Sequence, residues 1–443
     1  MVQYSLNKPL FNFSGLDAKT LSRIVFTVFT FFIFFGTSTP FGDDIRDVDD
    51  ISSSNIVSQL IYLPIYAISL FLLYRKRRRV VQFIKEEKFF TLLIAWCFLS
   101  VLWSDYSFVT FKRWMKLFGS SAACLAFLLH LDSVDEALKY FKIILGIYIP
   151  LTLISVAVVP EAIQWEFPAW RGLAPHKNHL GQISLLSVIV WASAFKRDVG
   201  FRAKCISGAY LAASIVILIG AQSSTSLIVF LFITALFALL ATEKLFSPPG
   251  MGRYFSVLLA SCFAFAYLMI QMFYPETFEM ILGQFGKDAT FTGRTELWAE
   301  VLDEAFAHPL VGAGFGGFWV VGNPPVMSLY EDPRFIWLPN QAHSGYIDFL
   351  NETGIVGVIL LIGMILTFFV KLRHYPGAFA WKWFFVSALI LNVQETCLFL
   401  DNPATGIMYV FAYLILIVSL VQNKPLLQQR ETVGIFSPQP IKS

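Results

Sequence analysis

Three side chains in this sequence have a type and a setting that suit the binding of a phosphate group and the transfer of a proton. Arg294 lies at the predicted start of a helix, where free backbone amides attract phosphate and a guanidinium adds a bidentate clamp. Arg171 directly precedes segment 176–179, which carries His176 and His179. His343 precedes a predicted helix, and an imidazole can accept a proton near neutral pH.

Each of these residues also has an ordinary structural interpretation. Segment 273–342 holds three basic residues among nine acidic ones, so Arg294 and Arg334 can simply pair with carboxylates. A single histidine such as His343 more often has a structural role than a catalytic one. The histidines in the predicted outer loops do not have the spacing of metal ligands, so we expect neither a metal nor another cofactor.

A further group of cations, Lys112, Arg113 and Lys116, lies at the start of the apolar run near 110–130. We expect it at the same membrane face as Arg171 and Arg294. That face is expected to be the extracytoplasmic one, where positive charge is disfavoured. Several cations at one depth on that face suit the anionic headgroup of a lipid-linked substrate. The alternative is that long side chains reach the membrane surface and anchor the helix there.

The composition is that of a membrane protein. Apolar residues make up 56% of the chain and charged residues 14%, whereas a soluble domain carries about 25% charge. The net charge of +3 gives no indication of a nucleic acid partner.

The five cysteines lie in or beside apolar runs and form no CxxC pair, which predicts buried thiols. Segment 1–19 lacks a signal-peptide cleavage pattern, so the first apolar run is expected to be retained.

Twelve runs are apolar and approach the length of about 20 residues that a membrane span needs. They lie near 20–38, 56–73, 88–103, 110–130, 140–159, 180–195, 206–221, 224–241, 254–272, 355–370, 384–400 and 406–421. The seventh and eighth are closely joined and can be read as one broken segment. We predict an all-α polytopic membrane protein with about 12 transmembrane helices, in which residues 1–443 form a single integral membrane domain.

Basic residues in the loops predict the orientation, because positively charged loops stay in the cytoplasm. Clusters follow the second, sixth and tenth runs, and Lys382 precedes the eleventh; the cluster members are Arg75, Lys76, Arg77, Arg78, Arg79, Lys196, Arg197, Arg202, Lys204, Lys371, Arg373 and His374. Both termini are then cytoplasmic in a bacterial inner membrane, and the acidic stretch 43–50 lies outside. The cluster at 112–116 also falls outside, so its position needs a separate explanation.

The longest outer loop is residues 273–354, and its Trp, Gly and Pro content is not typical of a disordered segment. A first short helix is predicted over 294–307, with an apolar stripe of Leu297, Val301 and Ala305. A second is predicted over 342–352, with Gly354 at its C-terminal end. Between them, segment 312–317 matches GxGxxG. A dinucleotide site needs a strand before that motif and a helix after it, so a tight, closely packed turn is the preferred interpretation.

The order and spacing of several motifs resemble the O-antigen ligase and polysaccharide polymerase superfamily over roughly residues 90–420. The motifs are Leu102-Trp103-Ser104-Asp105, His176-Lys177-Asn178-His179-Leu180-Gly181, Thr292-Gly293-Arg294-Thr295-Glu296-Leu297-Trp298, His308-Pro309-Leu310-Val311-Gly312-Ala313-Gly314, Ala342-His343-Ser344-Gly345-Tyr346 and Glu352-Thr353-Gly354. The His-Lys-Asn form and the Thr-Gly-Arg-Thr-Glu helix resemble exopolysaccharide repeat-unit polymerases more than lipopolysaccharide ligases.

This resemblance implies a helix bundle like that of lipid-sugar glycosyltransferases. It also implies a donor glycan on undecaprenyl diphosphate, used without a nucleotide sugar or a required metal. Arg171 and Arg294 would bind the diphosphate, Arg113 and His176 would support substrate binding, and His343 would be the catalytic base. The implied partners are the lipid-linked oligosaccharide, membrane lipid, a chain-length regulator and export proteins.

Two alternatives remain open at this point. A ligase would transfer the lipid-linked glycan to a lipid A core or to a protein, and would differ from a polymerase only in its acceptor. A transporter of the same lipid-linked glycan would place ionisable residues near the middle of its spans. The predicted spans are nearly free of such residues, and Glu395 in the eleventh run is the exception.

Overall fold

The computed structural model describes residues 17–36, 56–164, 168–246, 294–335, 338–372, 379–397 and 406–420. Regular structure in these residues is almost entirely α-helical, as the sequence predicts. A two-stranded antiparallel ribbon is formed by β1 (Ile163–Gln164) and β2 (Ala169–Trp170), with Ile163 opposite Trp170. The predicted span 254–272 and the acidic stretch 43–50 lie outside the described residues.

The described residues form fourteen α-helices. They are α1 (Ala18–Phe35), α2 (Ile56–Arg75), α3 (Arg77–Glu86), α4 (Lys88–Leu99), α5 (Ser107–His130), α6 (Val134–Val158), α7 (Lys177–Arg197), α8 (Phe201–Gly220), α9 (Ser224–Phe246), α10 (Arg294–Ala307), α11 (Pro324–Glu331), α12 (Gly345–Leu372), α13 (Phe379–Leu391) and α14 (Gly406–Leu420). Short 3₁₀ turns follow α4 and α6, at Ser100–Leu102 and Pro160–Ala162.

Five helices in the described part of the chain are long and apolar enough to cross a membrane. They are α1, α2, α6, α8 and α12. The shorter helices α4, α9, α13 and α14 are also apolar, and the chain is a multi-pass membrane protein. The count of twelve spans stays a prediction, because it includes shorter or less apolar helices and one run outside the described residues.

The seventh and eighth apolar runs form two separate helices. The helix α8 ends at Gly220, and α9 begins at Ser224 after a short turn. Gln222 has a positive φ of 48°, a left-handed conformation that cannot continue a helix. The ribbon covers this turn, because the indole of Trp170 lies against Gly220 where a Cβ would otherwise project.

The helix α12 connects two chemically different ends of the bundle. Near its C-terminus, Lys371 donates to the carbonyl of Glu86 at 2.5 Å and to the buried Glu87 carboxylate at 3.3 Å. This end, with the basic residues of α3 beside it, is called the basic end. At 1.5 Å per residue, Gly354 lies roughly 25 Å from Lys371. The opposite end, where α12 begins, is called the site end.

At the site end, α10, α11 and the loop around them have a small apolar core of their own. It is formed by Leu297, Val301, Phe318, Trp319, Val326, Leu329, Phe335 and Ala342. The helix α10 has the predicted bounds, and its stripe of Leu297, Val301 and Ala305 is buried as predicted. The helix α11 was not predicted, although Pro324 after Asn323 is a recognisable start signal, because proline is favoured at the first position of a helix.

The start of α12 and the end of α13 differ from the predicted boundaries. The helix α12 begins at Gly345, three residues later than predicted, because His343 has a φ of 52° that a helix cannot contain. Gly354, with a φ of 65°, interrupts the helix where its end was predicted. The helix α13 ends at Leu391 rather than near residue 400, so Glu395 lies in the turn after it and not inside the helix.

Candidate functional site

The glycine-rich segment 312–317 is a tight turn that locks onto the start of α12. The amides of Ala313 and Gly314 donate to the carbonyls of Asn351 and Glu352 at 2.9 and 3.0 Å. The amide of Gly316 donates to the Glu352 carboxylate at 2.8 Å. Gly312, Gly314 and Gly316 all have positive φ, which is tolerated because they lack a Cβ. This confirms the interpretation as a closely packed turn.

Arg113 fastens this turn to α5. Its guanidinium donates to the carbonyl of Gly316 and, at 2.9 Å, to that of Trp319. A Cβ on Gly316 would overlap the Arg113 side chain. These bonds give a structural reason for a cation at the site end of α5. A direct role of Arg113 in substrate binding stays a prediction.

Arg294 is the first residue of α10 and reaches across to the turn that follows α13. Its Nη1 donates to the carbonyl of Gln394 at 2.9 Å, and its Nη2 lies 3.7 Å from Oε1 of Glu395. Its side chain remains 20% exposed. Arg294 therefore does pair with a carboxylate, but not with one of the acidic residues of its own loop. Arg334, by contrast, pairs with Glu300 at 2.8 Å and with Asp332 in that loop.

The same carboxylate connects Arg294 to the start of α7. Asn178 Nδ2 donates to Oε1 of Glu395 at 3.0 Å. His176 caps this helix, because its Nδ1 accepts from the amide of Asn178 at 3.2 Å. Nδ1 must therefore be unprotonated, and the proton of the neutral ring lies on Nε2. Burial, and then the charges of Lys177, Arg171 and Arg294, lower the pKa of His176 to about 4.

Arg171 is held just after the ribbon, beside the start of α7. It is 8% exposed, its Nε donates to the carbonyl of Glu161 at 2.5 Å, and its Nη1 donates to that of Pro175 at 3.4 Å. Its backbone amide donates to the Ala162 carbonyl at 2.8 Å. Its charge contributes to the lowered pKa of His176, so the two groups share one electrostatic environment.

His343 lies in the short loop before α12, close to the same charges. Its backbone has a φ of 52°, and its Nδ1 is buried without a hydrogen-bond partner among the described residues. Burial, and then Arg294 and His176, lower the pKa of His343 to about 3. The imidazole is therefore neutral at physiological pH, which is the form that accepts a proton.

The structure thus brings together Arg171, His176, Arg294 and His343 at the site end. Arg113 lies on α5 instead, and its guanidinium binds the neighbouring glycine-rich turn. This arrangement combines two guanidiniums with two neutral imidazoles. Chemically, it can hold an anionic group and accept a proton beside it.

Two carboxylates near this cluster were not assigned to the site from the sequence. Asp348 is fully buried and accepts hydrogen bonds from Trp319, Ala342 and Thr396. An aspartate in the apolar first turn of a helix was the available signal, since buried charges are retained only where they are bonded. Glu395 is a charge in an apolar run of the sequence, which by itself equally fits a transporter.

Comparison with known proteins agrees with these features. Residues 209–362 match the family model described as O-Antigen ligase. The chain is also 37% identical over 110 residues to the Exopolysaccharide production protein ExoQ of Rhizobium meliloti (strain 1021), an alignment that covers 24% of this chain and 25% of that protein. The match thus spans about a quarter of that relative's length. The matched segment includes Arg294, the glycine-rich turn and His343, and the chain is similar there to the O-antigen ligase family; a shorter stretch is similar to a protein of exopolysaccharide production.

Proposed function

We propose that this protein polymerises undecaprenyl-diphosphate-linked oligosaccharide repeat units into an exopolysaccharide, at the extracytoplasmic face of the bacterial inner membrane. The observation that carries the proposal is the convergence of Arg171, His176, Arg294 and His343 at the end of the bundle opposite the basic residues. With the basic end in the cytoplasm, both termini are cytoplasmic and loop 273–354 faces outward.

In this proposal the two arginines bind the diphosphate of the donor lipid. Arg294 lies at the N-terminus of α10, and Arg171 lies beside the N-terminus of α7. Both helix ends favour anions. The leaving diphosphate gains negative charge as the glycosidic bond breaks, and fixed guanidiniums stabilise that charge without reorganisation. Because Nδ1 of His176 accepts the capping bond from Asn178, the ring proton lies on Nε2. This Nε2–H donates to a phosphate oxygen of the donor. No metal or other cofactor is required for this step.

His343 then serves as the base. The acceptor hydroxyl attacks the anomeric carbon, its proton passes to the imidazole, and the bond from the anomeric carbon to the diphosphate oxygen breaks. Attack opposite the leaving group inverts the anomeric centre. A pKa of about 3 makes the imidazole a weak base in the free protein, but a bound diphosphate would offset the charge of Arg294 and raise that pKa. Base strength thus increases when the donor is present.

The acceptor decides between the two closely related reactions. The family description favours a ligase as the second candidate, in which the glycan is transferred to a lipid A core or to a protein. The transporter alternative has lost its main support, because Glu395 lies beyond the end of α13 and is bonded to Arg294 and Asn178. A chain-length regulator and export proteins are the proposed protein partners.

The test is complementation of a deletion strain with matched pairs of variants. Arg294→Lys is compared with Arg334→Lys, and His343→Ala with His308→Ala, since Arg334 and His308 are exposed residues of the same loop. Arg294→Lys and His343→Ala are expected to abolish long polymer and to accumulate lipid-linked single repeats, at normal protein level. Both controls should retain wild-type polymer.

Two observations would contradict this function. Normal polymer length in His343→Ala would show that the catalytic assignment is wrong. Accumulation of long, unattached chains in the deletion strain, instead of single repeats, would identify a ligase.

A further inference from the structure

The imidazole of His343 has no hydrogen-bond partner at Nδ1 among the described residues, so no bond at that atom fixes its position. Its backbone is anchored one residue earlier. The amide of Ala342 donates to both oxygens of Asp348, at 3.0 and 3.1 Å. The loop carrying His343 is thus closed onto the first turn of α12 by a fully buried carboxylate, and this closure holds His343 in its left-handed conformation.

The same carboxylate binds two further segments. Trp319 Nε1 donates to Oδ1 at 2.7 Å, and the hydroxyl of Thr396 donates to Oδ2 at 2.5 Å. Trp319 follows the glycine-rich turn, and its carbonyl accepts from Arg113. Thr396 is adjacent to Glu395, in the turn that receives the side chain of Arg294. Asp348 therefore connects the loop of the proposed base to the turn that holds the proposed diphosphate ligand.

We propose that Asp348 is a positioning residue, which fixes the distance between the imidazole of His343 and the guanidinium of Arg294 through Ala342 and Thr396. This inference rests on the proposed function. Asp348 does not touch the reacting atoms, since its two oxygens are occupied by three donors from the protein. A misplacement of about 1 Å at a reacting centre can reduce the rate by about 100-fold.

The hydrogen-bond pattern allows a conservative variant that separates geometry from charge. In Asp348→Asn, the amide oxygen can accept from Trp319 and Ala342 while Nδ2 donates to the hydroxyl of Thr396, because a hydroxyl can also accept. Asp348→Leu keeps a similar volume and loses all of these bonds. Thr396→Val removes the bond to the Arg294 side of the network, and Thr396→Ser retains it.

The test uses full-length protein in native membranes, with repeat-unit lipid extracted from a deletion strain as substrate. We expect kcat to fall by about 100-fold in Asp348→Leu, and to stay within about threefold of wild type in Asp348→Asn. Thr396→Val should raise KM for the donor lipid and change kcat less, while Thr396→Ser restores both. Asp332→Asn changes an aspartate of the same loop whose carboxylate pairs with Arg334; it is the matched control and should behave like wild type.

A second measurement does not depend on turnover. Diethyl pyrocarbonate modifies neutral imidazoles, and peptide mass spectrometry reports the rate at His343. We expect faster modification of His343 in Asp348→Leu than in Asp348→Asn or wild type, because the loop is released. If Asp348→Leu is absent from the membrane, Thr396→Val and Thr396→Ser decide the question.

The possible failures are distinguishable. An inactive wild type would overturn the proposed function, whatever the Asp348 variants do. An active wild type with full kcat and an unchanged modification rate in Asp348→Leu would overturn the positioning role. Loss of activity in Asp348→Asn equal to that in Asp348→Leu would also overturn it, since the charge itself would then be required.

Discussion

The guanidinium of Arg294 lies 3.7 Å from the carboxylate of Glu395, although the two residues are distant in the sequence. The first residue of α10 is thereby joined to the turn after α13. The same carboxylate accepts from Asn178 at the start of α7. Glu395 thus holds Arg294 near His176 and His343, and it occupies the group that is proposed to bind the donor diphosphate.

Glu395→Gln should strengthen binding of the donor lipid. The amide oxygen can still accept from Asn178, but the negative charge that competes with a diphosphate for Arg294 is removed. We expect KM for the donor to fall by at least about threefold, since even an exposed ion pair contributes up to about 1 kcal/mol and this pair is mostly buried. Steady-state kinetics on extracted lipid-linked repeat units measures it. Glu300→Gln, which disrupts the exposed pair with Arg334, should leave KM unchanged, and a higher KM in Glu395→Gln would contradict the competition.

The pH dependence should reflect the lowered pKa of His343. Protonation inactivates a base, and a lowered pKa keeps the active neutral form at lower pH. If the base were an ordinary histidine with a pKa of about 6.5, kcat/KM would fall roughly tenfold at one pH unit below that pKa, because most of the imidazole would be protonated. Since the pKa of His343 is about 3 and that of His176 about 4, kcat/KM should be nearly flat from about pH 5 to 7.

The acid limb of kcat should lie at higher pH than that of kcat/KM. The acid limb of kcat reports the pKa of the base in the donor complex. In that complex the diphosphate offsets the charges of Arg294 and Arg171 and raises the pKa of the His343 imidazole. Two superimposable limbs near pH 6.5 would show that neither burial nor the arginines affect the base. His308→Ala serves as the control and should leave both limbs in place.

Gly316→Ala should destabilise the site end more than Gly322→Ala. Both glycines have positive φ, 66° and 87°, so each alanine pays a backbone cost of about 1 kcal/mol. A Cβ on Gly316 would also overlap the side chain of Arg113, whereas one on Gly322 has nothing within 4 Å. The additional overpacking cost is about 1–3 kcal/mol. Thermal unfolding in detergent measures the difference, and equal Tm values would contradict the close packing.

Cysteine labelling should place the site end outside the cytoplasm. The test uses a background in which Cys205 and Cys262 are replaced by serine, since Cys97, Cys124 and Cys397 are buried. Ser328→Cys, on the exposed face of α11, should react with a membrane-impermeant maleimide in intact cells. Val199→Cys, which is 92% exposed between α7 and α8, should react only after permeabilisation. The reverse pattern would place Arg294 and His343 in the cytoplasm, where the proposed donor is not presented.

Periodicity alone predicted much of the local structure. The length of the apolar runs predicted the helices, because lipid requires every backbone group to be bonded within its own segment. The stripe of Leu297, Val301 and Ala305 predicted α10, and the glycine spacing predicted a tight turn. The types of Arg171, Arg294 and His343 pointed to phosphate binding and proton transfer, and the motif order pointed to the superfamily.

Only the tertiary structure decided which of these residues meet. Arg294 and Asn178 both bond to Glu395, and Thr396 donates to Asp348. Each of these bonds joins segments that are far apart in the sequence. Hydrophobic periodicity determines which face of a helix is buried. It does not determine which other helices the end of that helix lies beside. A polar residue in an apolar run signals only that a partner exists, and the packing of the bundle determines which residue that partner is.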